Sequence, residues 1–414
     1  MGVSKFREGH VVRLLQGGTE FFDALVQAID TSHTEVRMET YIFHLDASGE
    51  RVAAALEHAG ARGVAVYLTV DGVGTPSLPD AWVQRFARSG VRWHVFSPLG
   101  RLGVLIPSRW RRLHRKLCVV DGVVGFCGGV NVLDDYFDLN HGDLTQPRLD
   151  FTVRVEGPLV RDMHAAMERL WWRQTLGVEV RVGDFPAAWR GLQGSVRRVL
   201  LRVPAVAGRL AAAPLAEIPL GVNLARADLL LRDNLRNRRK IERAYLVAIA
   251  TAQREVIVAN AYFLPGFALR RALVMAATRG VRVRLLLQGR YEYFLQYHAS
   301  RPVYAAMLEA GIEIHEYAAS FLHAKVAVVD GTWATVGSSN LDPLSLLLAR
   351  EANVVVQDGP FAQDLQERLE LAMRLGGEVV DAQVFAARPW HRRVKESVAY
   401  ALMRLALFFI GRRY

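Results

Sequence analysis

One stretch of this sequence occurs twice, and the duplication constrains the fold more than any other feature. The two copies are HRKLCVVDGVVGFCGGVN, residues 114–131, and HAKVAVVDGTWATVGSSN, residues 323–340. In each copy a Lys follows the His by two positions, an Asp by seven, a Gly by fourteen and an Asn by seventeen. A single His-x-Lys carries no information, but four matched offsets indicate a duplicated structural unit.

Both copies predict a β-hairpin. LCVVD and VAVVD are apolar, β-branched runs typical of strands, and Asp-Gly follows at 121–122 and 330–331 as a two-residue turn. His and Lys lie two positions apart, so on an extended strand they point to the same face. A two-residue turn would place Cys127 opposite Lys116 rather than opposite Cys118.

The surrounding chain repeats as well. ARGVAVYLTVDG matches TRGVRVRLLLQG, and SGVRWHVF matches AGIEIHEY, each within alternating helix and strand patterns. We therefore predict an α/β fold of two tandem homologous domains, each a mixed, mostly parallel sheet flanked by helices. The predicted boundaries are 1–175 and 222–388 for the domains, 176–221 for an apolar and basic linker, and 389–414 for an amphipathic, basic C-terminal helix.

Charge and cysteine content indicate the partners and the compartment. The chain of 414 residues has a net charge of +11, which favours nucleic acid or an acidic membrane surface as partner. Cys118 and Cys127 are expected to be buried free thiols in reducing, cytosol-facing surroundings. The N-terminus lacks the apolar core of a signal peptide. No uninterrupted apolar run reaches about 20 residues, so we predict no membrane-spanning helix.

One His-Lys pair in each half suggests a single active site at the interface of the two halves. Two imidazoles facing one phosphorus suit the cleavage of a phosphodiester, since one can attack phosphorus and the other can protonate the departing alkoxide. The catalytic candidates are His114, Lys116, His323 and Lys325. Asn131 and Asn340 are predicted to bind the phosphate with the two lysines. The cationic side chains serve in place of a metal, so no metal or cofactor is expected.

Four carboxylates accompany these residues. Asp150 and Glu351 each open an alternating apolar strand after the Asn-bearing loop, and we predict that they orient the imidazoles by binding the other ring nitrogen. Asp121 and Asp330 complete the duplicated motif and are grouped with the catalytic residues on that account. Their place in the hairpin turn is explained by turn geometry alone.

The duplicated motif resembles the signature of the phospholipase D superfamily, His-x-Lys-x4-Asp followed by Gly-Gly or Gly-Ser and Asn. HRKLCVVDG with GGVN, ANAYFLPG and FLHAKVAVVDGTWATVGSSNLDPLSL further resemble bacterial cardiolipin synthases, especially the B-type enzymes. Two features depart from the family pattern. Ala349 stands where relatives often have Asn, and the first motif has Gly129 where the second has Ser338.

The resemblance implies two fused α/β domains with one shared site. It implies transfer of a phosphatidyl group from one phosphatidylglycerol to another through a phosphohistidine, which gives cardiolipin and glycerol. It also implies that His114 is the nucleophile and His323 the acid and base.

A lipid enzyme without a spanning helix must dock on the bilayer, and two segments could do so. The loop before the first motif mixes arginines with Leu105, Ile106 and Trp110. The C-terminal stretch VKESVAYALMRLALFFIGRRY places apolar side chains, including Leu405, Phe408 and Phe409, on one helical face and is too short to span. We therefore expect a peripheral protein on the cytoplasmic face of the cell membrane. Packing of the tail helix on the protein's own core is the alternative.

Two other functions remain open. A phospholipase D-type hydrolase would use the same residues on lipid or, less consistently with the apolar loop and tail, on nucleic acid, whose binding is chiefly electrostatic. A catalytically inactive membrane scaffold is the other, and the intact motifs in both halves argue against it. We expect no nucleic acid partner.

Overall fold

The computed structural model describes residues 4–100, 106–182, 224–233, 237–290, 294–342 and 349–410. The helices are α1 Gly17–Asp30, α2 Ala47–Ala61, α3 Asp80–Ser89, α4 Leu159–Val182, α5 Lys240–Thr251, α6 Phe267–Thr278, α7 Phe294–Glu309, α8 Gly359–Gly376, α9 Ala382–Ala386 and α10 Trp390–Ile410. The strands of the first half are β1 Arg7–Gln16, β2 Glu35–Thr40, β3 Ala65–Asp71, β4 Arg92–Phe96, β5 Arg112–Leu113, β6 Lys116–Val120, β7 Val124–Gly128, β8 Phe137–Asp138, β9 Gly142–Asp143 and β10 Phe151–Glu156. Those of the second half are β11 Ala225–Arg232, β12 Glu255–Asn260, β13 Arg282–Gln288, β14 Glu313–Tyr317, β15 Lys325–Val329, β16 Trp333–Gly337, β17 Ala349–Gln357 and β18 Gly377–Val379.

A single mixed sheet runs through both halves. Its order is β18-β14-β13-β12-β15-β16-β17-β11-β1-β10-β7-β6-β2-β3-β4, so the strand sequence of one half is mirrored in the other. The halves join where β1 pairs antiparallel with β11, with His10 opposite Ala225. The duplication predicted from the sequence therefore appears as two copies of one topology placed back to back.

The α/β class and the mixed sheet were predicted correctly, but the sheet is not mostly parallel. Within the described residues, parallel pairing joins β2, β3 and β4, joins β12, β13 and β14, and links the short β5 to β17. The remaining pairs are antiparallel, and among them the two strands of each hairpin are joined by a short turn.

The hairpin turns contain one residue more than predicted. Val120 pairs with Val124, so the loop has three residues rather than two. Asp121 and Gly122 have φ angles of 52° and 71°, the left-handed conformation that Asp and Gly tolerate. The second motif repeats this register, with Val329 opposite Trp333.

The extra loop residue changes the predicted position of the second cysteine. Cys127 lies opposite Leu117 and not opposite Lys116, because the register is shifted by one residue. Cys118 lies opposite Phe126 in the same pair of strands. Both cysteines are buried free thiols, as predicted.

The domain boundary predicted at residue 175 lies within α4, which continues to Val182. Helix α7 contains a proline, Pro302. Residues 183–221 of the predicted linker lie outside the described residues. The division into domains otherwise stays a prediction.

The hydrophobic core also joins the two halves, in addition to the pairing of β1 with β11. One hydrophobic cluster contains Leu14, Leu117 and Val153 from the first half together with Val326 and Val354 from the second. The other two large clusters lie within one half each. Since the central cluster is shared, the relative position of the two halves is fixed by buried apolar packing as well as by strand pairing.

Helix α10 has both a buried and an exposed apolar face. Ala399 and Met403 are buried against the rest of the protein, and the helix packs on α7. Val398, Leu402 and Leu405 are each more than half exposed. The helix therefore packs on the protein's own core while it presents apolar side chains to the outside. No helix in the described part of the chain is both long and apolar enough to cross a membrane.

Candidate active site

Each motif histidine is held by a backbone carbonyl of the opposite half. The backbone N–H of His114 donates to the carbonyl of Arg350 at 3.0 Å, and that of His323 donates to the carbonyl of Leu149 at 2.9 Å. Arg350 and Leu149 directly precede the two predicted orienting carboxylates. The crossing of the halves therefore brings both histidines and both carboxylates to one interface.

The side chains cross in the same way. Nδ1 of His114 lies 3.1 Å from an oxygen of Glu351, and Nδ1 of His323 lies 2.6 Å from Oδ2 of Asp150. Both carboxylates are almost completely buried. A carboxylate on Nδ1 fixes the tautomer and leaves Nε2 for chemistry. The sequence indicated these carboxylates but did not assign either of them to a particular histidine.

The two carboxylates have different surroundings. Ser338 Oγ donates to Glu351 at 2.5 Å. At the matching place in the first half, a Cβ on Gly129 would lie 2.2 Å from an oxygen of Asp150. The first motif therefore has Gly129 where the neighbouring carboxylate is Asp150, and the second has Ser338 where it is Glu351. This accounts for the difference noticed in the sequence.

This difference separates the pKa values of the carboxylates. Burial raises the pKa of Asp150 to about 7, although Lys325 and Lys116 oppose this. Burial would also raise the pKa of Glu351, but His114, Lys116 and the Ser338 hydroxyl together lower it below its ordinary value. Glu351 is therefore ionised at neutral pH, whereas Asp150 is close to its midpoint.

Both motif lysines are buried, and each binds the carbonyl of the histidine in its own motif. Lys116 Nζ donates to the His114 carbonyl at 2.8 Å, and Lys325 Nζ donates to the His323 carbonyl. Burial, and next the charge of Lys325, lower the pKa of Lys116 to about 7. Two buried ammonium groups that act on each other create a region of high positive potential. A bound anion would stabilise both charges.

Both imidazoles are biased toward the neutral form. Burial lowers the pKa of His114, with Glu351 opposing and Lys116 assisting. Burial and then Lys325 and Lys116 lower the pKa of His323 well below its ordinary value. A neutral imidazole has a lone pair on one ring nitrogen, as a nucleophile or a base requires.

The side chains of both motif asparagines are buried. Asn131 Oδ1 accepts a hydrogen bond from the backbone N–H of Ile42 at 3.2 Å. Asn340 is 2% exposed, and its Oδ1 has no hydrogen-bond partner among the described residues. Phosphate binding by these amides stays a prediction.

Asp121 and Asp330 do not belong with the chemical groups, which corrects their inclusion among the catalytic residues. The Asp121 carboxylate accepts from the backbone N–H groups of His33, Thr34 and Glu35. Asp330 binds the backbone of residues 253–255 in the same way. Each Asp lies at the far end of the strand that begins at the motif Lys, so its role is to anchor the hairpin turn.

Sequence reasoning missed the residues that hold the segment before each histidine. Asp71 accepts from the backbone N–H of Leu113 at 2.7 Å, and Gln288 Oε1 accepts from that of Leu322 at 3.2 Å. Both end buried strands whose sequences match, VAVYLTVD and VRVRLLLQ, and this match was the available signal. Tyr41 is also at the site, with its ring centroid 5.0 Å from that of His114.

The predicted membrane contacts are only partly described. Ile106 and Trp110 are half-buried, and Leu405 is 52% exposed. Leu105 lies outside the described residues, as do the side chains of Phe408 and Phe409.

Two arginines at the end of the loop before the first motif and the start of that motif are used inside the protein. Arg112 pairs with Asp71 at 3.2 Å, and Arg115 forms a buried ion pair with Glu39. Their guanidinium groups are therefore not available for contact with a membrane.

Comparison with known proteins gives a consistent result. A family model described as cardiolipin synthase, PLD-like domain, matches residues 25–171 and 245–372. The chain is 35% identical to cardiolipin synthase B of Salmonella typhi over 399 residues, which cover 96% of this chain and 89% of that protein. It is 34% identical to cardiolipin synthase B of Shigella flexneri, with the same coverage of each chain.

The fold also resembles a solved structure. The crystal structure of phosphatidylserine synthase from Haemophilus influenzae matches with a TM-score of 0.64 and covers 97% of this chain and 95% of that one. At 14% sequence identity this likeness supports the fold alone.

Proposed function

The chain belongs to the family of cardiolipin synthases with phospholipase D-like domains, and we propose that it transfers a phosphatidyl group between two phosphatidylglycerol molecules and releases glycerol. The enzyme is a phosphatidyltransferase acting on phospholipids. The observation that carries the proposal is the crossed arrangement, in which His114 pairs with Glu351 and His323 pairs with Asp150.

The difference between the carboxylates supports unequal roles for the histidines. Ionised Glu351 holds the proton of His114 on Nδ1, so Nε2 keeps its lone pair and is the nucleophile. Asp150, with a pKa of about 7, shares a proton with His323 across 2.6 Å. A proton held by this second pair can appear on Nε2 of His323, which is what the general acid requires.

In the first step, Nε2 of His114 forms a bond to phosphorus while the bond from phosphorus to the glycerol oxygen breaks. The proton on Nε2 of His323 goes to that oxygen, and glycerol leaves. Lys116 and Lys325, with Asn131 and Asn340, bind the non-bridging oxygens and stabilise the charge that develops on them.

In the second step, the hydroxyl of another phosphatidylglycerol attacks phosphorus. Its proton goes to Nε2 of His323, and the bond from phosphorus to His114 breaks. The phosphodiester formed joins the two lipids, and both histidines return to their starting state. Water in place of the lipid hydroxyl would give hydrolysis.

We also propose that the protein acts as a peripheral protein on the cytoplasmic face of an anionic membrane. The exposed apolar face of α10 supports this, since Val398, Leu402 and Leu405 recur at helical spacing and are solvated in the free protein. Lys395 is exposed on the same helix and can attract anionic headgroups. Ile106 and Trp110 are the corresponding candidates in the loop.

The test supplies purified protein with phosphatidylglycerol vesicles and follows lipid and water-soluble products. Cardiolipin and glycerol in equal amounts are expected. His114→Ala and His323→Ala should each lower turnover by at least about 10²–10⁴-fold, since each removes a group that transfers a proton or bonds to phosphorus. Phosphatidic acid as the only lipid product would identify a hydrolase instead, and near-normal turnover of either variant would contradict the mechanism.

A further inference from the structure

A group of arginines lies on the face of the sheet opposite the active site. Glu351 points into the site, so Arg350, the preceding residue on the same strand, points to the other face. The same alternation places Arg115 on that face, between His114 and Lys116. Arg115 Nη2 donates to the carbonyl of Ala166 at 3.3 Å, so helix α4 covers this region.

Helix α4 adds two more guanidinium groups. Arg169 and Arg173 follow Ala166 by about one and two turns, so they lie along the same side of the helix. Between them, Leu170 packs in a small buried cluster with Phe96 and Leu113. The guanidinium carbon of Arg350 lies 5.7 Å from the centre of the Phe96 ring, which places Arg350 next to this part of α4.

Three of these four guanidinium groups have no ion-pair partner among the described residues. Arg115 has Glu39 as a buried counter-ion. Arg169, Arg173 and Arg350 form no ion pair with any described residue, and Nε of Arg350 is buried without a hydrogen-bond partner. Burial and the neighbouring Arg115 lower the pKa values of both Arg169 and Arg350, that of Arg350 to about 10, although Glu168 opposes this at Arg169 and Glu39 and Asp233 oppose it at Arg350.

Crowded, partly buried cations of one sign are unfavourable unless an anion binds among them. Guanidinium groups form paired hydrogen bonds with phosphate oxygens, and several together can bind one phosphate from different sides. Arg169 and Arg173 are exposed, so the place is open to solvent.

We propose that Arg169, Arg173 and Arg350 form a second phosphate-binding site, separate from the phosphate that reacts at His114 and His323. The phosphate belongs either to an anionic phospholipid headgroup or to a free phosphate in solution. The site goes beyond the proposed transferase activity and does not depend on turnover. It is linked to the nucleophile through the Arg350 carbonyl, which accepts the backbone N–H of His114.

Calorimetric titration with inorganic phosphate tests the site. The wild-type protein is expected to bind two equivalents, one of them lost in Lys116→Met/Lys325→Met. Arg169→Gln/Arg173→Gln should lose the other or bind it at least about tenfold more weakly, as expected for removal of charged hydrogen bonds. Because both arginines are exposed, this variant should keep its fold, which the thermal unfolding midpoint verifies.

Arg161→Gln/Arg243→Gln is the matched control, since it also removes two exposed arginines but leaves the cluster intact. It should bind two equivalents. The proposal fails if Arg169→Gln/Arg173→Gln binds two equivalents with wild-type affinity. It also fails if the wild-type protein binds a single equivalent that disappears in the lysine variant.

Vesicle flotation distinguishes the two sources of phosphate. With vesicles of phosphatidylglycerol and phosphatidylcholine, a several-fold lower bound fraction for the Arg169→Gln/Arg173→Gln variant than for the control identifies a lipid headgroup as the ligand. Equal vesicle binding, together with loss of one phosphate equivalent, identifies free phosphate. Either result supports the site, and cardiolipin formation plays no part in the measurement.

Discussion

At the scale of single residues, the two halves of the site have equivalent backbones but different chemistry. Each histidine N–H binds a carbonyl of the other half, and each Nδ1 faces a buried carboxylate. The shorter Asp150 lies against Gly129, whereas the longer Glu351 receives a hydrogen bond from Ser338. The two copies of the motif therefore differ at paired positions. Ser338 beside Glu351 gives an ionised carboxylate, and Gly129 beside Asp150 gives one that titrates near neutrality.

Ser338→Ala should lower kcat by about 10–100-fold, because it removes a hydrogen bond to a buried charged group worth about 1.5–3 kcal/mol. Without that donor the pKa of Glu351 rises and His114 is held less firmly. Steady-state rates measured with phosphatidylglycerol vesicles test this. The control is Ser32→Ala, in which a buried serine hydroxyl that donates to the Ile29 carbonyl is removed next to the Asp121 hairpin turn and not beside either carboxylate. An equal loss in the control would mean that the effect is only structural.

Gly129→Ala should lower both stability and activity because it adds a side chain beside Asp150, whereas Ser338→Ala removes a hydrogen-bond donor. The added Cβ would meet the Asp150 carboxylate at 2.2 Å, so Asp150 and its bond to His323 must shift. We expect about 1–3 kcal/mol lower stability from the overpacking, together with a large loss of kcat. Gly359→Ala, where the Cβ meets nothing within 4 Å, is the control and should change neither quantity. Denaturant unfolding and turnover rates measure the two effects.

The affinity for substrate should fall as pH rises through 7. The pKa of Lys116 is lowered to about 7 in the free enzyme by burial and by Lys325, so its positive charge is present below that pH and lost above it. From pH 6 to pH 8 we expect KM for phosphatidylglycerol to increase by up to about tenfold. Lys116→Arg keeps its charge over this range and should have a flatter profile. An unchanged pH profile in that variant would contradict the assignment.

At the scale of elements, helix α10 combines two faces with separate roles. Met403 is 4% exposed and packs on the core, whereas Leu402, the preceding residue, is 52% exposed. Adjacent positions on one helix point about 100° apart, so a buried stripe and a solvated apolar stripe can coexist. The sequence indicated an amphipathic tail, with packing on the protein's own core as the alternative to membrane contact, but it did not identify α7 as the packing partner.

Leu402→Gln should weaken binding to phosphatidylglycerol vesicles while stability stays within about 0.5 kcal/mol of wild type, because that side chain is already largely solvated. Met403→Ala should instead lower the free energy of unfolding by about 2–5 kcal/mol, because it opens a cavity in the core. Vesicle flotation and denaturant unfolding separate the two. Unchanged vesicle binding of Leu402→Gln would argue against this face as the membrane contact.

At the scale of the whole molecule, the halves are joined by β1 and β11 and by a core cluster with members from both. The candidate active site repeats this dependence, since Nδ1 of each histidine faces a carboxylate from the other half. Neither half by itself therefore contains the full set of proposed catalytic groups.

We therefore predict a single cooperative unfolding transition for the full chain, in place of two transitions for two domains. Calorimetry measures this, with the calorimetric and van't Hoff enthalpies expected to agree. Ala227→Asp would bury an unpaired charge in the shared cluster and should lower the midpoint of that one transition. Two separated transitions, with only one shifted by this substitution, would contradict the prediction.

The sequence by itself determined the duplication, the hairpins and the chemical groups. His114, Lys116, His323 and Lys325 follow from matched spacing, because a repeated offset does not depend on how distant segments meet. Asp150 and Glu351 could be named because each opens the alternating apolar strand that follows the Asn-bearing loop of its half. The anchoring role of Asp121 was indicated by its place in a turn, which is local geometry.

Only the tertiary structure decided which carboxylate serves which histidine, because the crossing arises where two strands some 200 residues apart come together. It also decided that parallel pairing is the minority, that the hairpin loops contain three residues, and that Asp71 and Gln288 hold the segments before the histidines. The pKa of Lys116 belongs with these features. A lysine titrates near 7 only when burial and a second lysine act on it together, and spacing along the chain specifies neither.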